Sequence, residues 1–117
     1  MNGYGVQARL LKAIAHPMRL QILDALRDGE QCVCDLETTL GLRQAYVSQQ
    51  LMMLRRAGLV TDRKEGLRVY YRVSDSGVYA VLDVTRSLAS RQAEKRGLAI
   101  KPDWLNKVKF KRCACSK

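Results

Sequence analysis

The apolar residues of this chain change their period once, near Leu59, and that change limits what it can fold into. Up to that point Val6, Leu10, Leu11 and Ile14, and then Leu20, Ile22, Leu23 and Leu26, recur at helical spacing. Residues 59–63 and 67–73 read instead as strands around Lys64-Glu65-Gly66, which predicts a β-hairpin with a glycine-containing loop. Helical spacing returns with Val78, Val81, Leu82, Thr85, Leu88 and Ala89, behind Asp75 or Ser76 as a cap.

Breakers divide the helical part. His16-Pro17 ends a first helix over residues 5–15, and Pro17 suits the first turn of a second, which stops near Asp28-Gly29. A short third helix covers residues 34–40 and stops at Gly41. A fourth runs from Arg43 to Gly58, with Val47, Leu51 and Leu54 as its buried stripe. Two short helices joined tightly and followed at once by a hairpin make a mainly α fold of the winged helix-turn-helix plan. One domain, residues 1–92, is expected, with a basic tail over 93–117 where Pro102 opposes a continuous helix. A core of this size is modest, and pairing two copies would enlarge it.

The formal net charge is +10, and its distribution is informative. Residues 1–42 carry net −1, residues 43–72 net +5, residues 73–92 zero and residues 93–117 net +6. Basic segments on a neutral body point to a polyanion such as double-stranded DNA, the plainer reading being a solvated basic surface. No apolar run could span a bilayer and no signal-peptide pattern opens the chain, so a cytoplasmic location is expected.

In a helix-turn-helix the second helix enters the major groove by its N-terminal residues. Here those are Arg43, Gln44, Ala45, Tyr46, Ser48 and Gln49. Amides can address adenine, and Ala can meet a thymine methyl. Arg43 is a poor helix start, because it caps weakly and its charge opposes the helix dipole. A phosphate or guanine would offset both penalties; the alternative is an arginine reaching back to Asp35 or Glu37. Arg63, Lys64 and Arg68 flank the hairpin turn, where they can lie along the DNA backbone or only protect a solvated edge.

The four cysteines form two pairs, Cys32-Val33-Cys34 and Cys113-Ala114-Cys115. In a cytosolic chain such pairs point to metal binding or redox chemistry rather than structural disulfides. Cys32 and Cys34 lie near a helix N-terminus, which lowers a thiol's pKa. Two thiolates are too few for a tight site, and Cys113 and Cys115 are the obvious further ligands. The plainer readings are a buried apolar Cys32 and incidental thiols in a disordered tail.

Gln31-Cys32-Val33-Cys34-Asp35-Leu36, Ala57-Gly58-Leu59-Val60, Arg63-Lys64-Glu65-Gly66 and Tyr70-Tyr71 resemble the ArsR/SmtB family of metal-sensing repressors. His16-Pro17-Met18-Arg19-Leu20 resembles that family's helix-opening motif, and the likeness covers about residues 5–90. The resemblance implies a homodimer built on the first and last helices, an operator-binding apo form, and release by an inducer at Cys32 and Cys34. It favours As(III) or Sb(III), which suit three thiolates; four would suit Cd(II), Pb(II) or Zn(II). A thiol-oxidation or persulfide switch is the further alternative.

Three positions depart from the family pattern. Glu37 stands where arsenic-type members often have a third cysteine, and Gln50 where a histidine is usual. Asp83 is present on the last helix, but no histidine follows it. His16, the only histidine, reads as a local structural residue. An inducer-independent DNA-binding module would need no paired thiols. An enzyme is not expected, since there is no Cys-x-x-Cys and no nucleophile–base pairing.

Overall fold

The computed structural model describes residues 2–99. Helix α1 (Gly3–Ile14) starts two residues before the expected point, because the Asn2 side chain accepts the Gly5 N–H at 2.7 Å. Helix α2 (Pro17–Ala25) is capped by His16, whose Nδ1 accepts the Met18 N–H at 3.2 Å. That is the structural role expected of the lone histidine. The helix ends earlier than its apolar pattern indicated, and a turn through Leu26 leads to Gly29, whose φ of 137° suits glycine.

A two-residue strand, β1 (Gln31–Cys32), follows, and the apolar period gave no sign of it. Helix α3 (Val33–Leu40) ends at Gly41, which adopts the left-handed conformation (φ 66°) and donates to the Glu37 carbonyl at 2.9 Å. Helix α4 (Gln44–Arg56) buries Val47, Gln50, Leu51 and Leu54. Its end is closed by Gly58 at φ 79°, with the Leu59 N–H returning to the Leu54 carbonyl at 3.0 Å.

Strands β2 (Val60–Glu65) and β3 (Arg68–Val73) form the hairpin, paired from Val60–Val73 to Glu65–Arg68. The sheet has the order β1-β3-β2, with Gln31 opposite Tyr71 and Cys32 opposite Tyr70. Helix α5 (Gly77–Lys95) is capped by Asp75 rather than Ser76: the Asp75 carboxylate accepts the Gly77 N–H at 2.7 Å. It continues three residues past the expected start of the tail.

The core is made by Ile22, Leu23, Leu36, Val47, Leu51 and Leu54, closed by Leu59, Val60, Val78 and Leu82. Truncating a side chain such as Leu51 to Ala would cost about 2–5 kcal/mol. The stripes of the first and last helices enter this core only in part, through Ile14, Val78 and Leu82. Val6, Leu10 and Leu11 on α1, and Val84 and Leu88 on α5, are exposed although large and apolar. From the expected stripe of α5 only Val78 and Leu82 are buried.

Candidate nucleic-acid interface and thiol pair

Helices α3 and α4, joined by the three residues 41–43, form the helix-turn-helix, and β2 and β3 form the wing beside it. Arg43, Gln44, Ala45 and Gln49 are exposed at the start of α4, while Tyr46 and Ser48 are half-buried. These side chains share the outer face because the inner one is occupied by Val47, Gln50 and Leu51. Arg43 stands at the N-cap without a capping hydrogen bond. Among the described residues it has no ion pair either, so neither Asp35 nor Glu37 takes it.

The reading helix is tied into the body by a buried amide. Gln50 is 7 % exposed, and its side-chain oxygen accepts from Arg19 Nε at 2.9 Å, while Arg19 Nη1 donates to the Ala13 carbonyl at 3.2 Å. One guanidinium thus links α4 to the last turn of α1. The sequence marked Gln50 only as a departure and gave no partner for it.

On the wing, Lys64 is exposed and Arg68 half-buried near the tip. Arg63 is exposed but paired. Its guanidinium bonds both Glu30 carboxylate oxygens, with Nε at 3.2 and 3.3 Å, and reaches Glu65 at 2.8 Å. Its face also lies 4.9 Å from the centre of the Tyr70 ring. The hydrogen bond from Arg63 holds the Glu30 carboxyl below the usual carboxylate range, against a smaller effect of desolvation. Glu30 was not singled out from the sequence, since nothing local shows that its partner lies 33 residues away.

Cys32 and Cys34 sit where β1 passes into α3. Cys32 is 2 % exposed; its Sγ is the N-cap of α3 and accepts the Asp35 N–H at 3.3 Å. Cys34 lies in the first turn, half-buried. Cys113 and Cys115 lie outside the described residues. Among the described residues no group of three or more His, Cys, Asp and Glu side chains could hold a metal ion. On α5 the Asp83 carboxylate is taken by Arg27 at 2.7 Å. Arg27 also pairs with Asp24, to which Arg86 donates as well.

A helix-turn-helix flanked by a wing, with a basic residue exposed at the start of the reading helix, defines a winged helix-turn-helix DNA-binding protein. Residues 16–62 match the family described as "Bacterial regulatory protein, arsR family". The chain is 46 % identical over 79 residues to the transcriptional activator HlyU of Vibrio cholerae, covering 68 % of this chain and 73 % of HlyU. It is also 46 % identical over 68 residues to a biofilm growth-associated repressor of Agrobacterium fabrum. That match covers 58 % of each protein. Among solved structures, the antimony-specific transcriptional repressor AntR superposes with a TM-score of 0.69 at 30 % identity, covering 78 % of this chain and 83 % of AntR. The chain belongs to the ArsR family of bacterial transcriptional regulators. No helix among the described residues is long and apolar enough to cross a membrane.

Proposed function

We propose that the protein is a homodimeric repressor that holds operator DNA with α4 and the wing, and lets go when its α3 thiols capture a thiophilic agent. Arg43, Gln44, Ala45, Tyr46, Ser48 and Gln49 would read the major groove, while Lys64 and Arg68 would meet the backbone. The exposed apolar stripes of α1 and α5 are the surfaces a second copy would cover. The single observation that carries the inducer reading is the position of Cys32. Its sulfur caps α3 and its backbone belongs to the wing's sheet, so it cannot change partner without disturbing both.

Trivalent arsenic or antimony is the favoured inducer. The donors suit a soft ion, AntR is named for antimony, and Asp83 is committed to Arg27 rather than available to a harder metal on α5. Cys32 and Cys34 would supply two sulfurs and the tail pair the remainder; four sulfurs would favour Cd(II), Pb(II) or Zn(II) instead. A ligated Cys32 gives up the Asp35 N–H, and loss of an N-cap costs about 0.5–2 kcal/mol. That lies in the range of ordinary allosteric couplings, about 1–3 kcal/mol. A second reading, in which oxidation of the α3 thiols is itself the signal, rests on the same two cysteines at the start of α3.

The test is fluorescence anisotropy on a fragment of the protein's own promoter, with the protein reduced by a phosphine and titrated with sodium arsenite. Cys34→Ser should bind the fragment like the parent but fail to release it. A Cys34→Ser protein that releases as fully as the parent removes the thiol site. Release by oxidant and not by arsenite selects the second reading.

A further inference from the structure

We infer that Arg63 is not a phosphate contact but a positioning residue, which together with Glu30 fixes the wing to the segment carrying the thiol pair. Three observations converge on it. All three guanidinium nitrogens are engaged by carboxylates, Nε and Nη2 by Glu30 and Nη1 by Glu65. Its charge is therefore already matched by two opposite ones, and a phosphate would have to displace them. Its flat face is also in use, stacked over Tyr70 directly across the ladder.

The placement of the partners gives this tie its role. Glu30 is the residue before β1, and Cys32 is the last residue of β1. Tyr70, which Arg63 covers, is the register partner of Cys32. The cysteine backbone, the β3 tyrosine and the β2 arginine thus stand side by side across the three strands. The pairing of β1 with β3 spans only two residues, too short to hold the wing against α3 by backbone bonds alone. The Glu30–Arg63 bridge adds a side-chain strut beside it. A shift of the segment 30–34 on thiol capture therefore moves the wing, and with it Lys64 and Arg68, in addition to any tilt of α4. This rests on the thiol reading above for the cause of the shift, but not for the role of Arg63.

The experiment has one arm without inducer and one with it. Without inducer, operator affinity is measured against salt for the parent, Arg63→Gln, Glu30→Gln and Lys64→Gln. A residue neutralising a phosphate contributes about 0.9 to the slope of log affinity against log salt, doubled for two copies in a dimer. Lys64→Gln should lose that slope. Arg63→Gln and Glu30→Gln should keep the parent slope and lower affinity by no more than about fivefold, the weight of an exposed ion pair. A slope reduced in Arg63→Gln by as much as in Lys64→Gln overturns the inference. With sodium arsenite, Glu30→Gln should retain a larger share of its DNA binding than the parent. Release equal to the parent's overturns the coupling. A parent that does not respond to arsenite sinks the inducer reading instead, and the salt arm still decides what Arg63 does.

Discussion

Replacing Arg43 by Ser should make the protein more stable and a worse DNA binder. The position is an N-cap without a side-chain cap, and its cation faces the positive end of α4. A serine hydroxyl could accept one of the unsatisfied N–H groups of the first turn, a gain of about 0.5–2 kcal/mol. Removing the cation from the dipole adds about 0.3–1 kcal/mol. Arg43 is exposed and has no ion pair among the described residues, so little in the free protein offsets these gains. Together they come to roughly 1–3 kcal/mol, or a rise of at least several degrees in melting temperature for a domain of this size. On DNA the sign reverses. A lost base or phosphate contact costs about 1–3 kcal/mol per half-site. Thermal unfolding at fixed protein concentration gives the first quantity and anisotropy at several salt concentrations the second. A reduced salt slope identifies a phosphate partner; an unchanged slope with relaxed choice at one base pair identifies a guanine. If Arg43→Ser gains stability and binds the operator as tightly as before, the arginine is not retained for DNA. If it loses both, the cap argument is wrong.

The remaining predictions concern the body that carries the reading head. Asp24 is 10 % exposed and takes both Arg27 and Arg86, which are 11 % and 19 % exposed. Asp24→Ala takes a shared carboxylate from two largely buried cations, of which Arg27 keeps Asp83, and should cost about 3 kcal/mol in urea denaturation. Asp83 is 59 % exposed, so Asp83→Ala should cost about 1 kcal/mol or less, and equal losses would contradict this ranking. Leu88→Glu should weaken self-association by about 100-fold if each copy loses about 1.5 kcal/mol of apolar burial. Sedimentation equilibrium measures this, and an unchanged association constant would place the interface elsewhere than on α5.

Much of the architecture could be read from local chemistry. Pro17, Gly41 and Gly58 each interrupt the chain for a reason their own residue type supplies, and all three sit at or beside helix boundaries. The hairpin followed from the change of period, with its strands displaced by a residue or two. The outward face of α4 followed from the same periodicity, because Val47, Leu51 and Leu54 leave only one side for Gln44, Ala45 and Gln49. The apolar stripe of α5 predicted more burial than one copy provides, since periodicity marks a face to be covered without saying by which chain it is covered.

What was not legible is long-range and polar. A two-residue strand has no period, so Gln31–Cys32 could join the wing's sheet without any trace in the apolar pattern. Arg63 reads beside Lys64 as one more surface cation, because charge is local and its pairing with Glu30 is not. Gln50 and Arg19 meet across 31 residues in the same way. These unforeseen contacts share a property that bears on regulation. Each connects the reading head or the wing to the part of the chain before residue 35, where the α3 thiols and the α1 face lie. The residues proposed to touch DNA follow from the surface chemistry of α4 and the wing tip. The residues proposed to alter that grip are buried or paired, and lie where helix, strand and wing meet. On the proposed reading an inducer at Cys32 would act on that junction directly, so release need not begin at the reading helix; the short β1–β3 ladder is the weaker attachment and should yield first.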